Sequence, residues 1–359
     1  MELRAELSMG KITTRISEEA GWSPRKGRHK LSLLALLFLG VFQSGHGHAA
    51  APDREGTGVF TLVMENDLFA RTDQSYTSGV RASWVTSPQN TPSWALSLAR
   101  RIPLFADWGV VRTEYAVQQA IFTPADTRRV IPDPLDRPYA GWLNASIGLI
   151  GETGSLLDQL SLSLGVVGPS SLARESQRLV HDIRGIDSPY GWDSQLRNEP
   201  TAQLLFQRSW RAAAAYAFGS DYGLDITPHA GFALGNVFTF ANAGLTFRVG
   251  KDLQQDYGPP RLGPSVPGSG HFVPRSTFGW YLFAGVEGRA VARNIFLDGN
   301  TFIGGPRVSH TPLVADLQAG FAVTVDQLRL SYTHVWRTKE FESQRTPDQF
   351  GAISLSFRW

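Results

Sequence analysis

The chain contains no cysteine. Disulfide staples, thiolate metal sites and cysteine nucleophiles are therefore excluded. Charge is also scarce, with 18% of residues Asp, Glu, Lys or Arg, against about 25% in an ordinary soluble domain. The net charge is only +2, so there is no electrostatic footprint of a nucleic-acid binder. Beyond residue 50 no apolar run approaches the roughly 20 residues that a transmembrane helix needs. No repeat of fixed short period is present. Neither the G-x-S-x-G elbow of serine hydrolases nor the H-E-x-x-H helix of zinc proteases occurs.

What is present begins with an export signal. "KGRHK" (Lys26–Lys30) is basic, "LSLLALLFLGVF" (Leu31–Phe42) is apolar, and "HGHAAAPD" (His46–Asp53) supplies small residues. That is the n-region, h-region and cleavage-site order of a secretory leader. Residues 1–50 are expected to be that signal, cleaved near Ala49–Ala51, with Met9 as an alternative start. His46 and His48 belong to it and leave the list of candidate ligands.

From residue 51 to 359 the pattern is alternation. In "DQLSLSLGVVG" (Asp158–Gly168), Leu160, Leu162, Leu164 and Val166 fall on one face of a strand and Ser161, Ser163 and Gly165 on the other. "AGWLNASIGLIG" (Ala140–Gly151) repeats this, with Leu143, Ala145, Ile147 and Leu149 opposing Asn144, Ser146 and Gly148. About twelve such segments occur, a number within the range of outer-membrane barrels. They lie near 58–66, 76–87, 112–122, 140–151, 158–168, 200–210, 224–234, 237–249, 278–287, 314–325, 328–336 and 349–358. The fold expected is all-β: a transmembrane antiparallel β-barrel with a short helix in one long loop. Closing the sheet removes edges that hydrocarbon cannot satisfy. A soluble β-sandwich should carry more charge on its polar faces. The end of the chain, "GAISLSFRW", alternates up to a terminal Trp359 and resembles the assembly signal of bacterial outer-membrane barrels. Trp142, Trp280, Trp336 and Tyr139 suit interfacial girdles. The Pro- and Gly-rich stretch Lys251–Ser276 reads as an extended surface loop.

Four stretches are too specific for plain wall. "MENDLFARTDQSYTSG" (Met64–Gly79) gathers Asn66, Asp67 and Thr77, oxygen donors of the kind a hard cation accepts; turn chemistry is the plainer reading. "QQAIFTPADTRRVIPDPLDRPYAGW" (Gln118–Trp142) offers Arg128, Arg129 and Arg137, whose guanidinium forks match phosphate, or a solvated rim. In "ESQRLVHDIRG" (Glu175–Gly185), Gln177 and His181 stand one helical turn apart on one face. Such a histidine suits general-base work, although a solvated helix can carry one incidentally. "SPYGWDSQLRNEP" (Ser188–Pro200) holds Trp192, Asp193, Gln195 and Glu199 as a structured rim. His229, His271, His310 and His334 lack partners at metal-ligand spacing and are expected on the surface or in the lumen.

In this order, "MENDLF…TDQSYTSGVR", "QAIFTP…DRPYAGW", "GPSSLARESQRLVHDI" and "GWDSQLRNE" resemble the lipid A 3′-O-deacylase (LpxR-type) outer-membrane proteins. The resemblance spans about Phe60 to Glu199; the C-terminal half adds barrel pattern. It implies a twelve-stranded barrel in the bacterial outer membrane with its site at the outer rim. It implies hydrolysis of the ester that holds the 3′-acyloxyacyl group of lipid A, with lipopolysaccharide as partner and Ca²⁺ as cofactor. His181 matches the family's base and Gln177 the glutamine one turn earlier. Asn66, Asp67 and Thr77 match the metal-site residues. Where the family has a lysine, this chain has Arg128–Arg129, which leaves those residues and Arg137 as the candidates for gripping substrate. A passive porin, or a phospholipase of the same membrane, would share the scaffold.

Overall fold

The computed structural model describes residues 58–67, 75–103, 105, 109–253, 256, 258–262, 270–274 and 276–359, with the side chains of 75–77 left aside. The signal reading over residues 1–50 and its cleavage near 49–51 lie outside the described residues.

Alternating segments become the staves of a cylinder. They are β1 (Val59–Asn66), β2 (Ser75–Val85), β3 (Val110–Thr123), β4 (Ala140–Thr153), β5 (Leu156–Val167), β6 (Glu199–Trp210), β7 (Ala214–Phe218), β8 (Tyr222–Gly235), β9 (Phe238–Lys251), β10 (Phe278–Asn294), β11 (Leu313–Val325), β12 (Leu328–Arg337) and β13 (Asp348–Arg358). The pairing is antiparallel throughout, and β1 closes on β13, with Val59 opposite Arg358 and Asn66 opposite Gly351. β6 and β7 lie along the same edge of β8, with Ser209 opposite His229 and Ala214 opposite Ile226. β7 thus continues β6 past an interruption where Ala212 adopts φ 49°. The thirteen strands make twelve staves, one of them broken, in agreement with the alternation. β10 runs past the expected end at 287: the alternation continues through Gly288–Val291 on small outward residues, and a bulge between Val291 and Arg293 breaks the period only for the last residues.

The two faces obey different rules. Val117, Leu162, Leu164, Leu282, Val286, Leu317 and Phe321 face outward and are exposed, forming an apolar belt. Trp84, Trp210, Trp336 and Trp359 stand outside among them. Trp142 and Tyr139 do not join a girdle. Trp142 points into the lumen and its indole donates to Thr201 Oγ1 at 3.0 Å, and Tyr139 is buried under a loop. Parity decided this: Trp142 shares its side with Asn144, not with Leu143.

The lumen is filled. At the end where Val59 and Arg358 meet, Arg248 reaches Asp225 at 2.7 Å and also pairs with Asp256. Arg329 meets Asp256 at 2.6 Å and covers the Phe272 ring at 4.6 Å. Farther along, Arg289 and Arg337 share Asp316, both at 2.9 Å. At the opposite mouth a stopper forms around Phe296, stacked on Phe122 at 3.9 Å, with Trp142 and Phe238 beside it. Phe296 is held there by the short helix Ile295–Asp298, capped where Asn294 Oδ1 accepts from the Phe296 amide.

Between 256 and 272 the described residues of the stretch expected as a surface loop are therefore inside the barrel. Asp256, Leu262 and Phe272 are fully buried, and the Leu262 amide donates to Glu65 Oε1 at 2.7 Å. Its composition was legible as irregular backbone, but its partners lie on strands distant in sequence. With both mouths and the middle occupied, the purified protein should show no step conductance in a planar bilayer. Steady porin-like channels there would contradict the filled lumen.

Glu340, in the loop between β12 and β13, tests the charge packing. Burial pushes its carboxyl upward, but Arg337 and Arg137 outweigh that and hold it below the ordinary value of 4.5. A depressed folded-state value contributes stability that is present above the unfolded value and lost as pH falls through the folded one. Denaturant midpoints should therefore fall as pH drops below 4.5, and Glu340→Gln should flatten that limb.

Candidate active site at the rim

The β5–β6 connection carries a helix, α2 (Ala173–Arg184), preceded by a one-turn 3₁₀ segment over Pro169–Ser171. It begins after Leu172, at φ 58°, and ends at Gly185, at φ 69°. Glycine takes that left-handed conformation readily, which makes it the usual helix stop. The helix lies on the outside of the wall at the end opposite the β1–β13 terminus. Gln119 Nε2 of β3 donates to the Ser171 carbonyl at 2.6 Å. Ser171 and Ala173 press onto Gly141 of β4 so closely that a Cβ there would collide with both.

Inside this seat Gln177 is buried, and its Oε1 accepts from the Trp192 indole at 2.8 Å. Trp192 packs on Tyr139 with ring centroids 5.0 Å apart, and Ile121 and Ala173 complete the cluster. The Tyr139 hydroxyl donates to the Thr127 carbonyl at 3.4 Å, and burial pushes its pKa up to about 12. The loops 124–139 and 186–198 are thereby fastened together beneath α2. The motif read as a structured rim is that: Trp192 and Glu199 are buried, and Asp193 pairs with Arg174 at 2.7 Å.

His181 is partly exposed on α2. Its Nδ1 lies 2.6 Å from the Asp187 carbonyl. A carbonyl only accepts, so Nδ1 carries the proton of this contact, and in the neutral ring Nε2 presents the lone pair. Asp187 contributes through its backbone, which no residue-type pattern could have revealed.

The strand register relates the cation candidates to this helix. Asn66 pairs with Ser78, Ser78 with Ile121 and Ile121 with Gly141. These four positions form one row across β1 to β4, three strand spacings or about 14 Å wide. The twelve-residue α2, about 18 Å long at 1.5 Å per residue, starts on that row. The base candidate and the cation candidates thus occupy one end of the cylinder. Asp67, just past β1, is 1% exposed, and Asn66 is partly buried. Thr77 is the extra residue of a bulge between Tyr76 and Ser78, beside Asn66, and its side chain lies outside the described residues. Among the described residues no cluster of three His, Asp or Glu side chains could hold a metal. The described donors at β1 are the buried Asp67 carboxylate and the Asn66 amide oxygen. That hard-oxygen set fits Ca²⁺ and not a soft transition metal.

The three arginines part company. Arg128 and Arg129 are exposed in the β3–β4 loop, Arg129 leaning on Asp133 at 3.3 Å. Arg137 is 1% exposed, bound to Glu340 at 2.7 Å and set beside the Phe122 and Phe341 rings. It is a lumen strut and does not present its fork to a lipid. The other histidines are accounted for. His229 faces Glu287 at 3.1 Å, His271 is buried among lumen arginines, His310 faces Asp298 at 2.6 Å, and His334 packs against Trp336 with the rings tilted by 56°.

Gly141→Ala should test the seat. Lifting α2 off β4 by the width of a methyl group should lower any activity of this site by about 10²-fold, the cost of a 1 Å misplacement. Heat-modifiable gel mobility should show an intact barrel.

Comparison with known proteins agrees with this fold. The family described as "Outer membrane protein LpxR" matches residues 33–359. The structure is similar to that of LpxR from Salmonella typhimurium, with TM-score 0.68 and 18% identity over 83% of this chain and 99% of that one. Weaker similarity reaches the β-domain of the Bordetella autotransporter BrkA, with TM-score 0.41 and 9% identity over 85% of this chain and 98% of that one. The translocator domain of NalP from Neisseria meningitidis follows, with TM-score 0.35 and 10% identity over 86% of this chain and 90% of that one. No curated protein matches.

Proposed function

The chain belongs to the LpxR family of outer membrane proteins, and from that premise we propose that it is a lipid A 3′-O-deacylase with His181 as general base. Family membership supports the lipid A deacylase reading and the outer-membrane location. The single observation behind the base is the 2.6 Å contact of His181 Nδ1 with the Asp187 carbonyl. It orients the ring and leaves Nε2 to take a proton from water.

In this mechanism the activated water attacks the carbonyl carbon of the ester at the 3′ position. The acyl C–O bond breaks, His181 returns its proton to the sugar oxygen, and the fatty acid leaves as the carboxylic acid, which then ionises to solvent. No serine nucleophile or covalent intermediate is needed. Because Gln177 Oε1 is engaged by Trp192, the amide NH₂ is the end that can face the developing oxyanion. One such donor contributes about 3–4 kcal/mol. Asp67, with Asn66 and Thr77, would hold Ca²⁺, which when bound polarises the ester carbonyl as a Lewis acid. Arg128 and Arg129 would grip the phosphate or sugar. The exposed Arg129–Asp133 pair contributes only about 0–1 kcal/mol and yields readily to a phosphate. Acyl chains lie along the apolar outer wall, so the substrate stays in its leaflet.

Replacing His181 with Ala should lower lipid A deacylation by about 10²–10⁴-fold, read by mass spectrometry on protein with unchanged heat-modifiable mobility. Retained deacylation would remove His181 from the base role. EGTA should abolish activity and Ca²⁺ restore it. Defined glycerophospholipid in a parallel arm should remain intact; its cleavage in place of lipid A would make the protein a phospholipase.

A further inference from the structure

We propose that the connection between β2 and β3 is a membrane anchor, in which the helix α1 (Ser93–Ala99) lies in the phospholipid interface at the end of the barrel opposite the rim site. There Trp94 and Leu98 insert among acyl chains, and Arg100 and Arg101 meet lipid phosphates. Turns at this end of an outer-membrane barrel are usually short, as at residues 154–155 and 326–327 here. The run from 86 to 109 is long, and its described residues fold back onto the outside of the wall.

Its seat is built. Thr91 Oγ1 donates to the Val111 carbonyl at 2.8 Å, the Thr113 amide donates to Thr86 Oγ1 at 3.0 Å, and the Thr86 amide donates to the Thr113 carbonyl at 2.9 Å. Ala95, Ala99 and Phe105 bury against Leu149 of β4 and Phe206 of β6, with Leu160 and Phe232 alongside. These wall residues have the outward parity of the apolar belt. A Cβ on Gly151 would meet the Phe105 ring at 2.9 Å. The covered wall is also unlike the bare belt. Asp158 and Arg208 face outward here as an ion pair at 2.6 Å, with Asp158 1% exposed beside Gly151 in register. Thr113 on β3 is wholly buried. Polar groups of this kind on an outward face are costly in hydrocarbon.

The helix sorts its residues by direction. At about 100° per residue, Ala95, Ala99 and Ile102 form one stripe, which faces the wall. Ser93, Ser97 and Arg100 form the opposite stripe and are exposed. Trp94 and Leu98 share a flank between them and are 46% and 44% exposed. A helix with a seated face, an apolar flank and a polar back fits the headgroup–acyl boundary and neither bulk water nor the bilayer centre. Its depth agrees. Leu149, Leu160 and Phe206 each stand four residues in from their strand ends at Thr153, Leu156 and Trp210, about 13 Å along a tilted strand. Trp84, Trp210 and Trp359 are exposed at the same end, where an aromatic girdle belongs. The two adjacent arginines complement the phosphates of that interface.

The cysteine-free chain makes the test direct. Single-cysteine variants Leu98→Cys, Ser97→Cys, Leu282→Cys in the belt and Asp326→Cys in a turn are labelled with NBD. They are reconstituted in phosphatidylglycerol–phosphatidylethanolamine vesicles, with folding checked by heat-modifiable mobility. The label at 98 should emit to the blue and be quenched by brominated acyl chains to within about twofold of the belt label, as expected for an interfacial face. The labels at 97 and 326 should remain water-like. Water-like, unquenched emission at 98 would overturn the anchor. In these vesicles Arg100→Gln combined with Arg101→Gln should lower quenching at 98; unchanged quenching would overturn the phosphate contacts.

Discussion

The pairing of β1 with β13 is the constraint from which the rest follows. Once Val59 meets Arg358 and Asn66 meets Gly351, the sheet closes on itself, β7 alone of the described strands keeping one edge unpaired, and every wall side chain is assigned to the inside or the outside by parity alone. The outside can be apolar without further arrangement. The inside cannot be both polar and unpartnered. The lumen therefore carries arginines joined to carboxylates, Arg248 to Asp225, Arg329 to Asp256 and Arg337 to Asp316. Breaking one such pair leaves a buried charge and costs about 3–5 kcal/mol. The filling that follows from closure removes the aqueous path and leaves the rim as the place for chemistry.

The staves were legible because alternation is a local signal. Leu160, Leu162 and Leu164 against Ser161 and Ser163 state the direction of every side chain in β5 without reference to any other strand. The helix of Gln177 and His181 was legible for the same reason, since one helical turn spans four residues. What could not be read depended on distant partners or on the backbone. Arg137 carries no local sign that Glu340, some two hundred residues away, would claim it. Trp142 looked like a girdle residue until its parity with Asn144 was respected. The stretch around Asp256 and Leu262 was irregular by composition, but only the strands around it determine that it runs inside. The Asp187 carbonyl that orients His181 leaves no trace in residue type. The helix Ser93–Ala99 did leave one, in the spacing of Ala95, Ala99 and Ile102, but seven residues between strong strand signals are easily passed over.

The rim site depends on closeness more than on any unusual group. Gly141 lets α2 lie directly on β4, and Trp192 ties Gln177 to the loop beneath. The histidine side chain is then held at both ends, by its helix and by the Asp187 carbonyl. Such a histidine needs little reorganisation to accept a proton, which is the condition under which positioned groups accelerate acyl transfer most. Building the site on the outer face of the wall also avoids a second cost. A lipid drawn into the lumen would have to displace paired charges, whereas a lipid approaching α2 from its own leaflet exchanges one apolar neighbour for another.

The two helices that lean on the wall share a sector. α2 rests on β3 and β4 at one end, and α1 covers β3 to β6 at the other. A uniform cylinder is free to shift in depth and tilt until its apolar belt matches the bilayer, and mismatch costs only fractions of a kcal/mol per Å. For a porin such freedom is harmless. For a site that must meet an ester a fixed distance below a headgroup, an ångström of depth is the difference between reaching and missing the carbonyl. A seated helix with an apolar flank in the opposite leaflet fixes depth on the same staves that carry His181. It does so without adding a charge or a contact at the site itself. Under the proposed function, α1 beneath α2 sets the height at which the rim site meets the membrane.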